Sequence, residues 1–248
     1  MKPYHIGIGK EDIKDATIAL LTGDPGRVEK IASFFDNPYK LAVSREYTSY
    51  LGSVNDKNVL IISTGMGGPS MAICVEELAQ IGINTLIRIG TSGGMQKDVK
   101  QGDVVIAQGA IRAEGTSREY LPIEYPAVAD LDVTNVLRKS AKELKYNTHV
   151  GVVHCKDSFY GQHSPERMPV SYELLNKWDA WKKGGALCSE METAALFTVS
   201  SYLRLKAGAV LYVIWNQELG DVKLEKSSVV DPDAAIKVAV EAAKKLTV

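Results

Sequence analysis

Cysteine is scarce in this 248-residue chain: Cys74, Cys155 and Cys188 lie far apart and form no Cys-x-x-Cys pair. That pattern excludes a disulfide framework and a clustered zinc site, and it fits reduced thiols. Net charge is nearly absent too. With 29 Lys+Arg against 30 Asp+Glu the formal charge is −1, so no general basic surface recommends nucleic acid or an anionic membrane as partner. No segment reaches the run of about 18 apolar residues that a membrane helix needs. The opening MKPYHIGIGKEDIK lacks the apolar h-region of a signal peptide, and the expected location is cytoplasmic. Long linkers, internal repeats and low-complexity tracts are also missing, so the expectation is one domain over residues 1–248.

Two nucleotide-binding signatures are absent as well. There is no G-x-x-x-x-G-K-[ST], which excludes a P-loop. The stretch GMGGPS at residues 65–70 stops short of a dinucleotide loop, because Ser70 holds the third glycine position of G-x-G-x-x-G.

What the chain has is alternation. Apolar β-rich runs (ATIALLT, KLAVSREYTSYLGSV, KNVLIIST, NTLIRIG, GDVVIAQGAI, THVGVVHC, AGAVLYVIW) are interleaved with helical patterns. The helical patterns are RVEKIASFF, GMGGPSMAICVEELAQIG, DVTNVLRKSAKEL, METAALFTVSSYLRL and DPDAAIKVAVEAAKKL. Asp132 or Thr134 is the expected N-cap of the third, and Asp231-Pro232 the expected opening of the last. This order predicts an α/β fold with a central mixed, mainly parallel sheet flanked by helices. In such sheets the ligand lies beyond the carboxyl ends of the strands. The loops to inspect are therefore TGDPGR, STGMGGPS, RIGTSGG, HCKDSFYGQHSPER, CSEMET and IWNQELGD.

Arg88, near the end of an apolar run, raises a question of pairing, since an unpaired buried charge is expensive. A carboxylate or a bound anion would serve. In TGDPGR, Gly23 allows close backbone approach, Pro25 suits a first helical turn, and free N–H groups at a helix start favour an anion. Arg27, Arg88 and Thr91 together describe a pocket for a tetrahedral oxyanion. Glu190 and Glu192 stand at a helix entry, where they complement the helix dipole or accept from sugar hydroxyls. Met191 between them could pack on the apolar face of a sugar. His149 and His154 fall on a strand and read as structural. His163 lies in a loop, as a ligand contact or a solvated ring.

Several stretches, in order and with matching spacing, resemble the nucleoside phosphorylase superfamily that unites uridine phosphorylases and hexameric purine nucleoside phosphorylases. They are HIGIGKEDI, GDPGRVEKIA, SREYTSY, STGMGGPSMAICVEELAQIG, RIGTSGG, YPAVAD, DSFYGQ and EMETAAL. The likeness is nearest to the uridine branch and covers nearly the whole chain. It implies phosphorolysis, in which nucleoside and inorganic phosphate give free base and ribose 1-phosphate, with no metal or organic cofactor. It assigns phosphate to Gly23, Arg27, Arg88 and Thr91, with Arg45 supplied across a subunit interface. It assigns ribose to Glu190, Met191 and Glu192, with His5 reaching a neighbour's 5′-hydroxyl. The base falls to Ser92, Gly93, Phe159, Gln162, Arg167 and Asn216. Glu46, Met66 and Ser70 match positions that hold potassium in similar enzymes. The implied assembly is a homohexamer, a trimer of dimers.

Two departures bear on the base. The segment between Gln162 and its arginine is longer than in familiar uridine enzymes, which makes Arg167 the expected base contact. Asn216 stands near the place where purine enzymes carry an acid, and an amide cannot be a general acid. The expected order of preference is uridine over inosine over adenosine. The alternatives are a purine phosphorylase, a hydrolytic nucleosidase on the same fold, or a non-catalytic nucleoside-binding protein.

Overall fold

The structure, a computed structural model, describes residues 2–220 and 232–247. Asp221 and Asp231, expected in the last ligand loop and at the start of the last helix, lie outside the described residues. The strands are β1 (Ile18–Thr22), β2 (Asp36–Ser44), β3 (Tyr47–Val54), β4 (Lys57–Ser63) and β5 (Thr85–Gly94). They continue with β6 (Val104–Ala113), β7 (Ala127–Val128), β8 (Thr148–Lys156), β9 (Cys188–Glu190) and β10 (Lys206–Asn216). The helices are α1 (Lys10–Ile13), α2 (Val28–Ala32), α3 (Gly68–Ile81), α4 (Thr116–Tyr120) and α5 (Leu131–Glu143). They end with α6 (Phe159–His163), α7 (Ser171–Lys183), α8 (Thr193–Tyr202) and α9 (Asp233–Leu246).

One mixed sheet holds all the strands, as the alternation predicted. Its centre, β4–β1–β5–β10, is parallel, while β2, β3 and β7 pair antiparallel toward its margins. Period-two alternation buries both faces of β1. Ala19 and Leu21 pack with α3 and α8, and Ile18 and Leu20 face the layer of α2, α5 and α9. Strand β5 pairs with both β10 and β9, and β10 leads through β6 and β8 back to β9. The five strands thus close into a small ring, and the site forms where the ring meets the open sheet.

The ring depends on glycine for close approach. A Cβ at Gly94 would lie 2.7 Å from both the Asn216 amide nitrogen and the Val99 carbonyl. A Cβ at Gly90 would lie 2.7 Å from Leu211 and 2.8 Å from the Arg88 guanidinium. The TSGG stretch expected as a loop is instead the end of β5, paired with β10 and β9.

Two other expectations change. The N-cap of α5 is Asp130, whose side chain accepts from Val133 N–H at 3.0 Å. Its extended backbone precedes the first turn, where Asp132 and Thr134 are already helical. Helix α7 was not anticipated, because it contains no fully buried residue and so writes no strong apolar stripe into the sequence.

Candidate active site

A cavity of about 680 Å³ opens where the ends of β1, β4, β8 and β9 meet the second halves of β5 and β10. Gly23 and Arg27 enter from beyond β1, and Arg88, Thr91, Ser92 and Gly93 from β5. Glu190, Met191 and Glu192 enter from β9 and the start of α8. Lys156, at the end of β8, and the contacting rings of Phe159, His163 and Trp215 line the cavity as well.

Arg88 is the centre of the polar wall and is only 3% exposed. Its Nε and Nη2 each lie 3.1 Å from Glu190 Oε2, and Nη2 also donates to Glu192 Oε2. Burial works against the charge of Arg88, but Glu192 and Glu190 outweigh it and raise its pKa. Its third nitrogen, Nη1, is buried without a hydrogen-bond partner. The pairing question therefore has a divided answer: two carboxylates satisfy Nε and Nη2 and leave Nη1 unsatisfied, a buried donor that needs an explanation.

Each glutamate is also tied to a helix start. Glu190 accepts from the Glu192 N–H at 2.9 Å and from the Thr193 N–H, which caps α8. Glu192 accepts from the Gly67 N–H at 2.7 Å, at the start of α3. Alternate spacing does not separate the two carboxylates, because the chain turns from strand to helix between them. Burial raises the pKa of Glu192 above its ordinary value, although Arg88 pulls it down. Asp24 accepts from Gly26 N–H at 2.8 Å and fixes the turn that carries Arg27.

Lys156 was missed by the motif reading. Its ammonium donates to Ser189 Oγ at 2.8 Å, and the Ser189 hydroxyl donates to Gln162 Oε1 at 2.7 Å. Burial lowers the pKa of Lys156, opposed by Glu190. The signal was present: THVGVVHCK closes an apolar run with a cation, at a strand end where ligands bind.

The sequence matches the family model of the phosphorylase superfamily over residues 17–248. The uridine phosphorylase of Treponema pallidum (strain Nichols) is 53% identical over 243 residues, covering 98% of this chain and 93% of that one. The uridine phosphorylase of Escherichia coli (strain K12) is 40% identical over 246 residues, covering 98% and 97%. A guanosine phosphorylase of Halorubrum lacusprofundi is 38% identical over 222 residues, covering 90% and 87%. The chain belongs to the phosphorylase superfamily.

Within this phosphorylase, three expected base contacts do not line the cavity. Asn216 spends its amide on the carbonyls of Gln96 and Val99, at 2.7 and 2.6 Å, and accepts from Glu218 N–H. It is a brace for the 96–99 turn. Arg167 is exposed, its guanidinium 5.1 Å from the Tyr160 ring centroid. Gln162 is buried behind the wall, bonded to Ser189 and Gln217, and lines a neighbouring cavity. His5 and Arg45 do not line this cavity either. Arg45 is exposed at the tip of the β2–β3 hairpin with φ 54°, its guanidinium 5.7 Å from the Tyr4 ring, which in turn packs edge-on against His5. Glu46, Met66 and Ser70 meet at the cavity rim. Among the described residues no group of three or more His, Cys, Asp or Glu could hold a metal, and no helix is long and apolar enough to cross a membrane.

The histidines divide by environment. His149 Nε2 lies 2.9 Å from Asp103. His154 stacks on Trp181 at 4.2 Å, with Nδ1 2.9 Å from Ser189 Oγ. Burial, with Lys156 adding, holds His154 to about 3 and His163 to about 4. An unfolded histidine titrates near 6.5, so between about pH 4 and 6.5 the unfolded chain binds protons that the folded chain refuses. Stability is then lost as pH falls through that window. Going from pH 7 to 5, His154 alone should contribute a loss of roughly 2 kcal/mol. Urea unfolding of wild type and His154→Gln at both pH values checks this. The variant should lose less stability than wild type, and an equal loss would contradict the assignment.

Proposed function

We propose that the chain catalyses phosphorolysis of uridine, giving uracil and ribose 1-phosphate, and accepts deoxyuridine. The observation that carries this reading is the open Nη1 of Arg88, held by two carboxylates in a cavity that also contains Arg27, Thr91 and Lys156. The likeness to uridine phosphorylases over nearly the whole chain supports it. We read residues 1–248 as one phosphorylase domain.

In this reading phosphate lies against Arg88 Nη1, Arg27, Thr91 and the backbone at Gly23. Cations hold it beneath the anomeric carbon, where proximity lowers the barrier. Glu192 keeps free lone pairs after binding Arg88 and Gly67, and these accept from the sugar hydroxyls. Met191 packs on the sugar, and Glu190 holds Arg88. Departure of the base passes through an oxocarbenium-like state, in which phosphate stabilises the sugar cation. The negative charge that develops on the base is met by Lys156, which takes the role expected of Arg167. Phe159, His163, Trp215 and the β5 backbone at Ser92 and Gly93 enclose the ring.

The base end favours a pyrimidine. The carboxylates of described residues on the cavity wall are Asp24, Glu46, Glu190 and Glu192; Glu190, which acts on Lys156, is engaged by Arg88 and by the N–H groups of Glu192 and Thr193. A histidine held to about 4 is a poor acid at neutral pH. Among the described residues around Lys156, no carboxyl group stands unengaged to protonate a departing purine. No organic cofactor enters the reaction. If potassium joins the enzyme, the oxygen donors of Glu46, Ser70 and the Met66 carbonyl at the rim suit it, and no chemical step needs it. The expected location remains the cytoplasm.

His5 and Arg45 stand on one surface outside their own cavity. We assign them to a neighbour's site in a homohexamer built from dimers.

Uracil release from uridine, followed with and without phosphate and against inosine, tests the reaction and the substrate class. Turnover should require phosphate and favour uridine. Lys156→Ala should lower kcat/KM by about 10²-fold or more, whereas Arg167→Ala should stay within about threefold, as for an exposed substitution. Strong loss in Arg167→Ala with an active Lys156→Ala would reverse the two roles. Preference for inosine would overturn the pyrimidine assignment. For the assembly, mixing inactive Arg45→Ala and Glu192→Ala proteins should restore activity after subunit exchange. A fully active monomer in sedimentation would contradict shared sites.

A further inference from the structure

Glu77 is a carboxylate on α3 that none of the chemistry above uses, and it is only 7% exposed. The N-terminal segment converges on it. The His5 backbone N–H reaches its two oxygens at 3.0 and 2.9 Å, and the Ile6 N–H donates at 2.8 Å. The imidazole Nδ1 of His5 lies 2.6 Å from Oε1. Burial alone would raise the pKa of Glu77, but the donors from Ile6 and His5 outweigh it and hold it below its ordinary value. An ionised carboxylate only accepts, so the ring nitrogen facing it carries the hydrogen. Nε2 is left as the nitrogen available to a ligand, on a side chain that keeps 31% exposure.

We propose that Glu77 is a positioning residue for the reaction: it clamps His5 with Nδ1–H inward, so that Nε2 meets the 5′-hydroxyl of a nucleoside bound by a neighbouring subunit. This rests on the phosphorolysis reading, in which His5 completes that neighbour's site. The clamp has two parts. The backbone bonds fix where residues 5 and 6 leave the chain, and the bond to Nδ1 fixes the tautomer and tilt of the ring. A histidine fixed at both levels offers an oriented hydrogen bond to a hydroxyl, where a loose terminal side chain would first have to be ordered. The same helix is capped by Gly67, whose N–H binds Glu192 at 2.7 Å. One rigid element therefore links the sugar carboxylate of its own site to the histidine lent to the next.

The test compares kcat/KM for uridine and 5′-deoxyuridine in wild type, Glu77→Gln, His5→Ala and the double variant. Glutamine keeps the volume and can still accept from the backbone N–H groups, which guards against simple unfolding. The uridine to 5′-deoxyuridine ratio should fall about tenfold in Glu77→Gln, the size of one lost hydrogen bond. It should fall as far in His5→Ala, and the double variant should go no lower. Equal losses on both substrates, leaving the ratio at its wild-type value, would mark Glu77 as structural and overturn the proposal. A second readout needs no substrate. The ¹⁵N spectrum of His5, assigned with His5→Ala, should report hydrogen on Nδ1 in wild type and a changed state in Glu77→Gln. A ring protonated on Nε2 alone would overturn the clamp. Absence of phosphate-dependent uridine turnover in wild type would instead defeat the functional reading, and the tautomer would then decide the clamp by itself.

Discussion

A guanidinium buried between two carboxylates organises this molecule. Taking Arg88, Glu190 and Glu192 out of water costs several kcal/mol per ion before pairing, and the chain offsets that cost through their mutual ion pairs and bonds to backbone N–H groups. Glu190 uses its remaining capacity to cap α8, and Glu192 uses its own on the N–H of Gly67, the N-cap of α3. Four elements (β5, β9, α3 and α8) are thereby held to one cluster of charge. Gly90 is part of the same arrangement, since any side chain there would press on the guanidinium. Removing one member of such a cluster leaves an uncompensated buried charge, typically worth about 3–5 kcal/mol.

The cluster is incomplete at one atom: Arg88, which lines the cavity, keeps its Nη1 buried and without a partner. Lys156 adds a second buried cation, which donates to Ser189, whose hydroxyl donates to Gln162. The cavity wall thus carries Arg27, Arg88 and Lys156 together with Glu190 and Glu192. That arrangement fits a reaction that brings in an anion and develops negative charge on a leaving group. It also explains the neutral rings: His154 and His163 lie near Lys156, whose charge adds to burial in keeping them unprotonated.

Much of this was legible in the residues. Arg27, Arg88, Thr91, Glu190, Met191 and Glu192 could be grouped before any coordinates, because strand ends and glycine-flanked loops mark where ligands meet an α/β sheet. The base end was less legible. Arg167 and Asn216 were picked by their position along the chain, and position does not say which way a side chain turns. Asn216 is drawn to carbonyls that only the folded 96–99 turn brings near, and Arg167 to the exposed Tyr160 ring. Lys156, like Arg88, is a cation in an apolar strand, but no motif framed it. The short β9 was invisible as a strand because its partners, β5 and β8, are far away in sequence. Helix α7 escaped for the opposite reason, having no buried side to pattern it.

The most direct measurement is a crystal structure of the protein with inorganic phosphate bound. The expected result is a phosphate oxygen within hydrogen-bond distance of Arg88 Nη1, roughly 2.7–3.2 Å, with Thr91 and Arg27 on the same ion. The ion pairs from Arg88 to Glu190 and Glu192 should persist. Phosphate bound elsewhere, with Nη1 still buried and unpartnered, would contradict the central claim that Arg88 is held by its carboxylates in order to receive an anion.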